Sequence, residues 1–109
     1  MRYNVLSIPP FDRQLKRLAK KFPSLKEEYA ALVEELEENP EKGIFLGNHC
    51  FKTRLSIASK GRGKSGGARV ITHVYIENKT VFLLAIYDKN EKTDVSDKEL
   101  KELLSEIEK

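Results

Sequence analysis

Apolar positions change their spacing three times along this chain of 109 residues. Tyr3 to Ile8 is a short β-prone run ended by Pro9-Pro10, and it predicts a first strand. Phe11, Leu15, Leu18 and Phe22 then recur at i, i+4, i+7 and i+11, one face of a helix. Arg13, Lys16, Arg17, Lys20 and Lys21 fall on its other faces, and Pro23 is its stop. Ser24 and Glu27 read as an S-x-x-E capping box opening a second helix. Leu25, Tyr29, Leu32 and Leu36 form its stripe, and Asn39-Pro40 closes it. The short link predicts an antiparallel helical hairpin. The second helix carries Glu27, Glu28, Glu34, Glu35, Glu37 and Glu38, expected to be solvated and to pair with the basic side of the first.

Glu41 to His49 reads as a turn-rich link, with Gly43 and Gly47 as bends and Ile44-Phe45-Leu46 as an anchor to the core. From Phe51 the period becomes two. Phe51, Thr53, Leu55 and Ile57 share one face; Lys52, Arg54 and Ser56 share the other. After a glycine-rich stretch, Ala68, Val70, Thr72, Val74 and Ile76 alternate with Arg69, Ile71, His73 and Tyr75. Glu77-Asn78-Lys79 is a hairpin signal. Thr80 to Tyr87 is apolar on both faces, which predicts the most buried strand. Ser96 with Glu99 is another capping box, and Leu100, Leu103, Leu104 and Ile107 stripe a final helix. The expected fold is α+β, in the order β-α-α-β-β-β-α: an antiparallel meander, an N-terminal helical hairpin and a C-terminal helix, with helices on one face of the sheet and one domain over 1–109.

Charge sharpens this picture. The net charge is only +3, yet from Lys42 to Ile76 there are seven Lys or Arg and no Asp or Glu. At the centre of that span lies the loop Lys60-Gly61-Arg62-Gly63-Lys64-Ser65-Gly66-Gly67. Such a one-signed segment is a local positive field, and phosphate is its natural occupant. The loop lacks the spacing of a Walker motif. One cysteine, Cys50, excludes an internal disulfide and fits a reducing cytosol. No run approaches the ~20 apolar residues of a membrane span, and the N-terminus lacks a signal peptide's apolar run, so a cytoplasmic protein without membrane contact is expected.

Lys52 and Arg54 project the same way, about 7 Å apart by strand rise. Arg69 lies across from them if the loop closes as a hairpin. Three cations on one sheet face make a fork for a phosphodiester, with Arg gripping two oxygens and Lys acting as a point charge. Lys60, Arg62 and Lys64 would follow the backbone of a nucleic acid. A lysine crowded by cations is a candidate general base, which points to Lys52. His73, on the strand face of Arg69, is either an acid–base group or a plain sheet residue. Tyr87 either reaches the cationic face or covers the core edge. Neither His49 nor His73 has a metal ligand at the usual spacing, so no metal and no cofactor are expected.

Three runs carry a resemblance: Lys52-Thr53-Arg54-Leu55; Gly63-Lys64-Ser65-Gly66-Gly67-Ala68-Arg69-Val70-Ile71; and Leu84-Ala85-Ile86-Tyr87-Asp88-Lys89-Asn90-Glu91-Lys92, followed by Val95-Ser96. Together they resemble the RelE/HigB toxins of bacterial type II toxin–antitoxin modules, the HigB-type branch most. The resemblance covers nearly the whole chain. It implies a RelE-like fold and a metal-independent endoribonuclease that enters the ribosomal A site and cuts mRNA by attack of a 2′-hydroxyl on the adjacent phosphate. By position, Lys52, Arg54 and Arg69 match the family's basic strand residues, and Lys89 and Lys92 match basic positions of the last loop. Better-known RelE toxins carry an arginine where this chain has Asn90 and a tyrosine where it has Ser96. Lys92 is then the substitute cation and Tyr87 a base-stacking residue. A cognate antitoxin, the ribosome and mRNA are the implied partners, with a monomer or dimer when free and a heteromeric complex with the antitoxin.

Two other readings stand beside this one. A fold relative can act by binding alone, as a gyrase-poisoning ParE-like toxin or an inactive family member. A small RNA-binding module is the third, although the sheet lacks the aromatic stacking pairs common in such modules.

Overall fold

The computed structural model describes residues 2–60, 67–92 and 94–107. Its elements are β1 (Asn4–Ser7), α1 (Pro9–Lys21), α2 (Leu25–Glu38), β2 (Ile44–Gly47), β3 (Cys50–Leu55), a 3-10 turn (Ala58–Lys60), β4 (Ala68–Tyr75), β5 (Thr80–Asp88) and α3 (Asp97–Ile107). The five strands form one sheet in the order β1-β5-β4-β3-β2. The fold is therefore α+β, with the expected antiparallel meander in β3, β4 and β5.

Pro9 and Pro10 do more than end β1. They are the first two residues of α1, where a missing N–H costs nothing and the fixed φ suits a helix. β1 pairs parallel with β5, Asn4 to Thr80 through Ser7 to Leu83. Beyond Leu83, β5 continues alone on that side.

Four expectations need correction. The Glu41–His49 link contains a strand, β2, paired antiparallel to β3. The anchor is only partial: Ile44 and Phe45 are each 63% exposed, because β2 is the sheet's outer edge. Leu46 packs against the core, and the Phe45 ring lies 5.5 Å from that of Phe51. Second, Ser24 forms no capping box. It sits in helical conformation (φ −74, ψ −14), and its hydroxyl faces Ser59 and Glu28 instead. Third, α2's glutamates do not pair with α1. Glu37 and Glu38 take Arg2, Glu35 takes Lys42, and Arg17 of α1 reaches Glu91. Fourth, the helices do not leave one sheet face open. Ile71 shares a face with Lys52 yet is fully buried, and Asp94, beyond β5, reaches Lys52 on that face.

Two other expectations agree with the structure. Ser96 and Glu99 exchange both capping hydrogen bonds at α3, at 3.2 and 3.1 Å. β5 buries Val81, Leu83, Leu84, Ile86 and Tyr87 because α1 and α3 both pack on it. Phe11, Leu18, Leu25 and Leu36, all completely buried, join the helices to Val70 and Val81 of the sheet.

The glycine-rich loop is tied down at both ends. Before it, Ser59 N–H donates to Ser24 Oγ at 2.9 Å and Ala58 N–H to Glu28 Oε2 at 2.7 Å. Lys60 Nζ donates to Asp88 Oδ1 at 2.7 Å, with both side chains almost wholly buried, and lies 5.3 Å from the Phe22 ring centre. After it, Gly67 C=O accepts from Lys89 N–H, and a Cβ at Gly67 would stand 2.2 Å from the Leu55 carbonyl oxygen, so only glycine fits.

Removing one partner of a buried pair strands the other charge. Lys60→Met should cost about 3 kcal/mol in urea unfolding, and pairing it with Asp88→Leu should recover most of that. Burial alone would raise the Asp88 pKa, but the Lys60 hydrogen bond, the Asn90 N–H and the Lys60 charge outweigh it and hold it low. A lowered folded-state value stabilises above the unfolded value and is lost as pH falls through the folded one. Wild-type stability should therefore drop below about pH 4, and this acid limb should be smaller in Lys60→Met.

Candidate functional site

The register of the meander builds the site. Arg54 pairs with Arg69, and Arg69 pairs with Tyr87. Directly opposed residues point to the same side with Cβ atoms about 5 Å apart, so Arg54, Arg69 and Tyr87 form one row across three strands. Lys52, two residues from Arg54, lies on that same face opposite Ile71.

Two arginines placed directly opposite repel each other. Arg54 is exposed; Arg69 is only 6% exposed, with its guanidinium donating to the Ala68 carbonyl at 3.1 Å. Among the described residues, no carboxylate forms an ion pair with either. An anion bound between them would relieve the repulsion, and a phosphate matches their planar donor geometry. Tyr87 completes the row with a buried hydroxyl that has no hydrogen-bond partner among the described residues. Burial, aided by Asp94 and Glu99 and opposed by Arg69, raises the phenol above its ordinary pKa of 10.0.

Lys52 differs from the two arginines. Its Nζ lies 3.4 Å from Asp94 Oδ1. In this arrangement Lys52 is held by a carboxylate counterion, whereas the two arginines have none among the described residues. Lys92 is likewise held by Glu99, and its Nζ lies 6.0 Å from the centre of the Tyr87 ring. Two grooves border these strands. One of about 650 Å³ is lined by Leu32 and Glu35 of α2 and by residues 52–56 of β3 and its end; the other, of about 600 Å³, has Tyr87 and Lys92 between α1 and α3.

Lys60 leaves the candidate set. Asp88 follows Tyr87 on β5 and so points to the opposite side of the sheet, taking Lys60 with it. Lys60 is a neutralised anchor of the loop, not a free cation. His73 stays on the cationic face but lies four residues along β4 from Arg69, about 13 Å away. It joins Cys50, whose Sγ is 3.5 Å from Nδ1, and His49, at 6.4 Å between ring centres. Burial lowers its pKa, with the nearby His49 adding to this and a hydrogen bond to the Asn48 backbone opposing it. Burial pushes the Cys50 thiol up to about 11, which makes it inert. Among the described residues, no group of three His, Cys, Asp or Glu could hold a metal ion, and no helix is long and apolar enough to cross a membrane. Lys89 is half-buried in the turn after β5, its N–H holding Gly67. Arg62 and Lys64 lie outside the described residues.

The family model for the RelE toxin of the RelE/RelB toxin–antitoxin system matches residues 11–108. The chain belongs to the RelE toxin family. Solved structures agree in fold. A free-state arginine-to-alanine double mutant of the Escherichia coli toxin RelE is 21% identical, with a TM-score of 0.60 over 97% of this chain and 94% of that one. The RelBE toxin–antitoxin complex of E. coli is 19% identical with a TM-score of 0.60, covering 79% of this chain and 95% of that one. The RelBE2 complex of Mycobacterium tuberculosis is 19% identical with a TM-score of 0.59, covering 81% and 99%.

Within this RelE-family chain the residues that sequence reasoning missed are carboxylates. Asp88 and Asp94 lie outside the acid-free span yet reach two of its cations. The only signal was their place in the polar stretch after a buried strand. Asp94→Asn should release Lys52. Affinity for a single-stranded RNA oligonucleotide should then rise several-fold at low salt, and the slope of log K against log[salt] should steepen by about 0.7. An unchanged slope would mean that Lys52 never meets the anion.

Proposed function

We propose that this protein is the toxin of a type II toxin–antitoxin module, acting as a ribosome-dependent endoribonuclease on mRNA. One observation carries the reading: Arg54 and Arg69 stand opposite each other on one sheet face, with no carboxylate partner among the described residues. Family membership supports the toxin role, and the likeness of fold to toxins solved with their antitoxins supports an antitoxin as cognate partner.

In this reading the RNA crosses the sheet face with its scissile phosphate over the Arg54–Arg69 pair. The neighbouring 2′-hydroxyl attacks phosphorus in line, and charge gathers on the non-bridging oxygens as the trigonal bipyramid forms. Two fixed guanidiniums stabilise that charge more than the ground state, which is the condition for acceleration. Lys52 adds a third charge once Asp94 gives way. Arg62, Lys64, Lys89 and Lys92 hold the flanking backbone. The products are a cyclic phosphate and a 5′-hydroxyl. The ribosome supplies the splayed mRNA that a free RNA coil lacks, and the antitoxin silences the toxin by masking the basic face in the cytoplasm.

Arg54→Ala removes an exposed side chain and should leave the melting temperature unchanged. Cleavage of A-site mRNA on purified ribosomes should fall about 10²–10³-fold. Arrest of DNA replication with intact mRNA, on expression of the wild-type chain, would contradict the reading and favour a ParE-like action.

A further inference from the structure

The nuclease reading leaves one atom without a task, the Tyr87 hydroxyl. It is closed to solvent and has no hydrogen-bond partner among the described residues. A buried hydroxyl with nothing to bond normally weakens a fold, and a phenylalanine there would avoid the loss. Its surroundings are also specific. Arg69 is its register partner across the strand pair, and Lys92 lies 6.0 Å from the centre of its ring. Tyr87 lines one groove together with Lys92, Val95 and Glu99, which puts it beside the 94–99 segment. Asp94 and Glu99 are engaged by Lys52 and Lys92 in ion pairs that remain partly exposed. Such pairs are weak, so the segment opens at small cost when a polyanion competes for the lysines.

Building on the nuclease reading, we propose that the Tyr87 hydroxyl is the general acid, donating its proton to the departing 5′-oxygen. An anion seated between Arg54 and Arg69 brings its leaving oxygen toward the third member of the row. The 2′-oxygen forms its bond to phosphorus as its own proton passes to solvent or a basic group. The P–O5′ bond breaks, its electron pair stays on O5′, and the Tyr87 proton neutralises it. The phenolate left behind faces the Arg69 guanidinium, and water returns the proton in the next cycle. Burial keeps the phenol protonated at neutral pH, so it arrives as a donor.

Chemical rescue tests this. Ribosomes programmed with an A-site codon receive either an ordinary scissile linkage or one whose bridging 5′-oxygen is replaced by sulfur, a leaving atom that needs no proton. Tyr87→Phe keeps the ring and loses only the donor. It should cut the ordinary linkage about 10²–10⁴-fold more slowly than wild type and the sulfur linkage at close to the wild-type rate. Its melting temperature should be unchanged or raised, because an unsatisfied hydroxyl has been removed. Equal losses on both linkages, equal rates on the ordinary one, or a melting temperature lowered by several degrees would each overturn the assignment. A wild-type chain that cuts neither linkage would instead overturn the nuclease reading, and the assignment with it.

Discussion

Everything at the candidate site follows from the register of three antiparallel strands. Because side chains alternate along a strand, slipping β3 against β4 by one residue would turn every side chain of β3 to the other face. The observed register sets Arg54 against Arg69 and Arg69 against Tyr87. The opposite faces of the same strands, Phe51, Thr53, Leu55, Val70 and Val74, are buried. Core packing and site geometry are thus fixed by the same constraint. The fold cannot bury its apolar positions without placing two arginines side by side.

That juxtaposition stands out because the neighbouring lysines are held by carboxylates. Lys60 is held in a buried pair with Asp88. Lys52 and Lys92 are held loosely by Asp94 and Glu99, carboxylates of the segment beyond β5. The cations therefore divide by the depth of their partners, from buried anchor through exposed latch to a fork with no carboxylate partner among the described residues. An exposed ion pair contributes about 0–1 kcal/mol and can be exchanged for a phosphate; a buried one cannot.

Much of this was legible in the sequence, for physical reasons. A half-buried antiparallel strand alternates, so Lys52 and Arg54 could be assigned a common side from the sequence, with Arg69 joining them if the loop closed as a hairpin. Ser96 and Glu99 cap α3 as their spacing predicts, with Glu99 accepting from Ser96 N–H through one oxygen and from Lys92 through the other. Ser24 and Glu27 carry the same spacing, but Ser59, far along the chain, takes the Ser24 hydroxyl. β2 hides because an edge strand with exposed Ile44 and Phe45 shows no alternation. The parallel pairing of β1 with β5 joins the ends of the chain through four residues and leaves no local mark. Asp88 and Asp94 were invisible as counterions for the same reason. An acid-free span of sequence is not an acid-free volume.

The central claim is that two guanidiniums share one phosphate. The most direct test is the structure of the protein on a ribosome whose A-site codon has a 2′-deoxy nucleotide at the cleavage position, so that the linkage stays intact. The account predicts Arg54 and Arg69 both at hydrogen-bonding distance, about 2.8 Å, from oxygens of the same phosphate. Guanidiniums bound to separate phosphates, or an RNA path that leaves this sheet face empty, would contradict it.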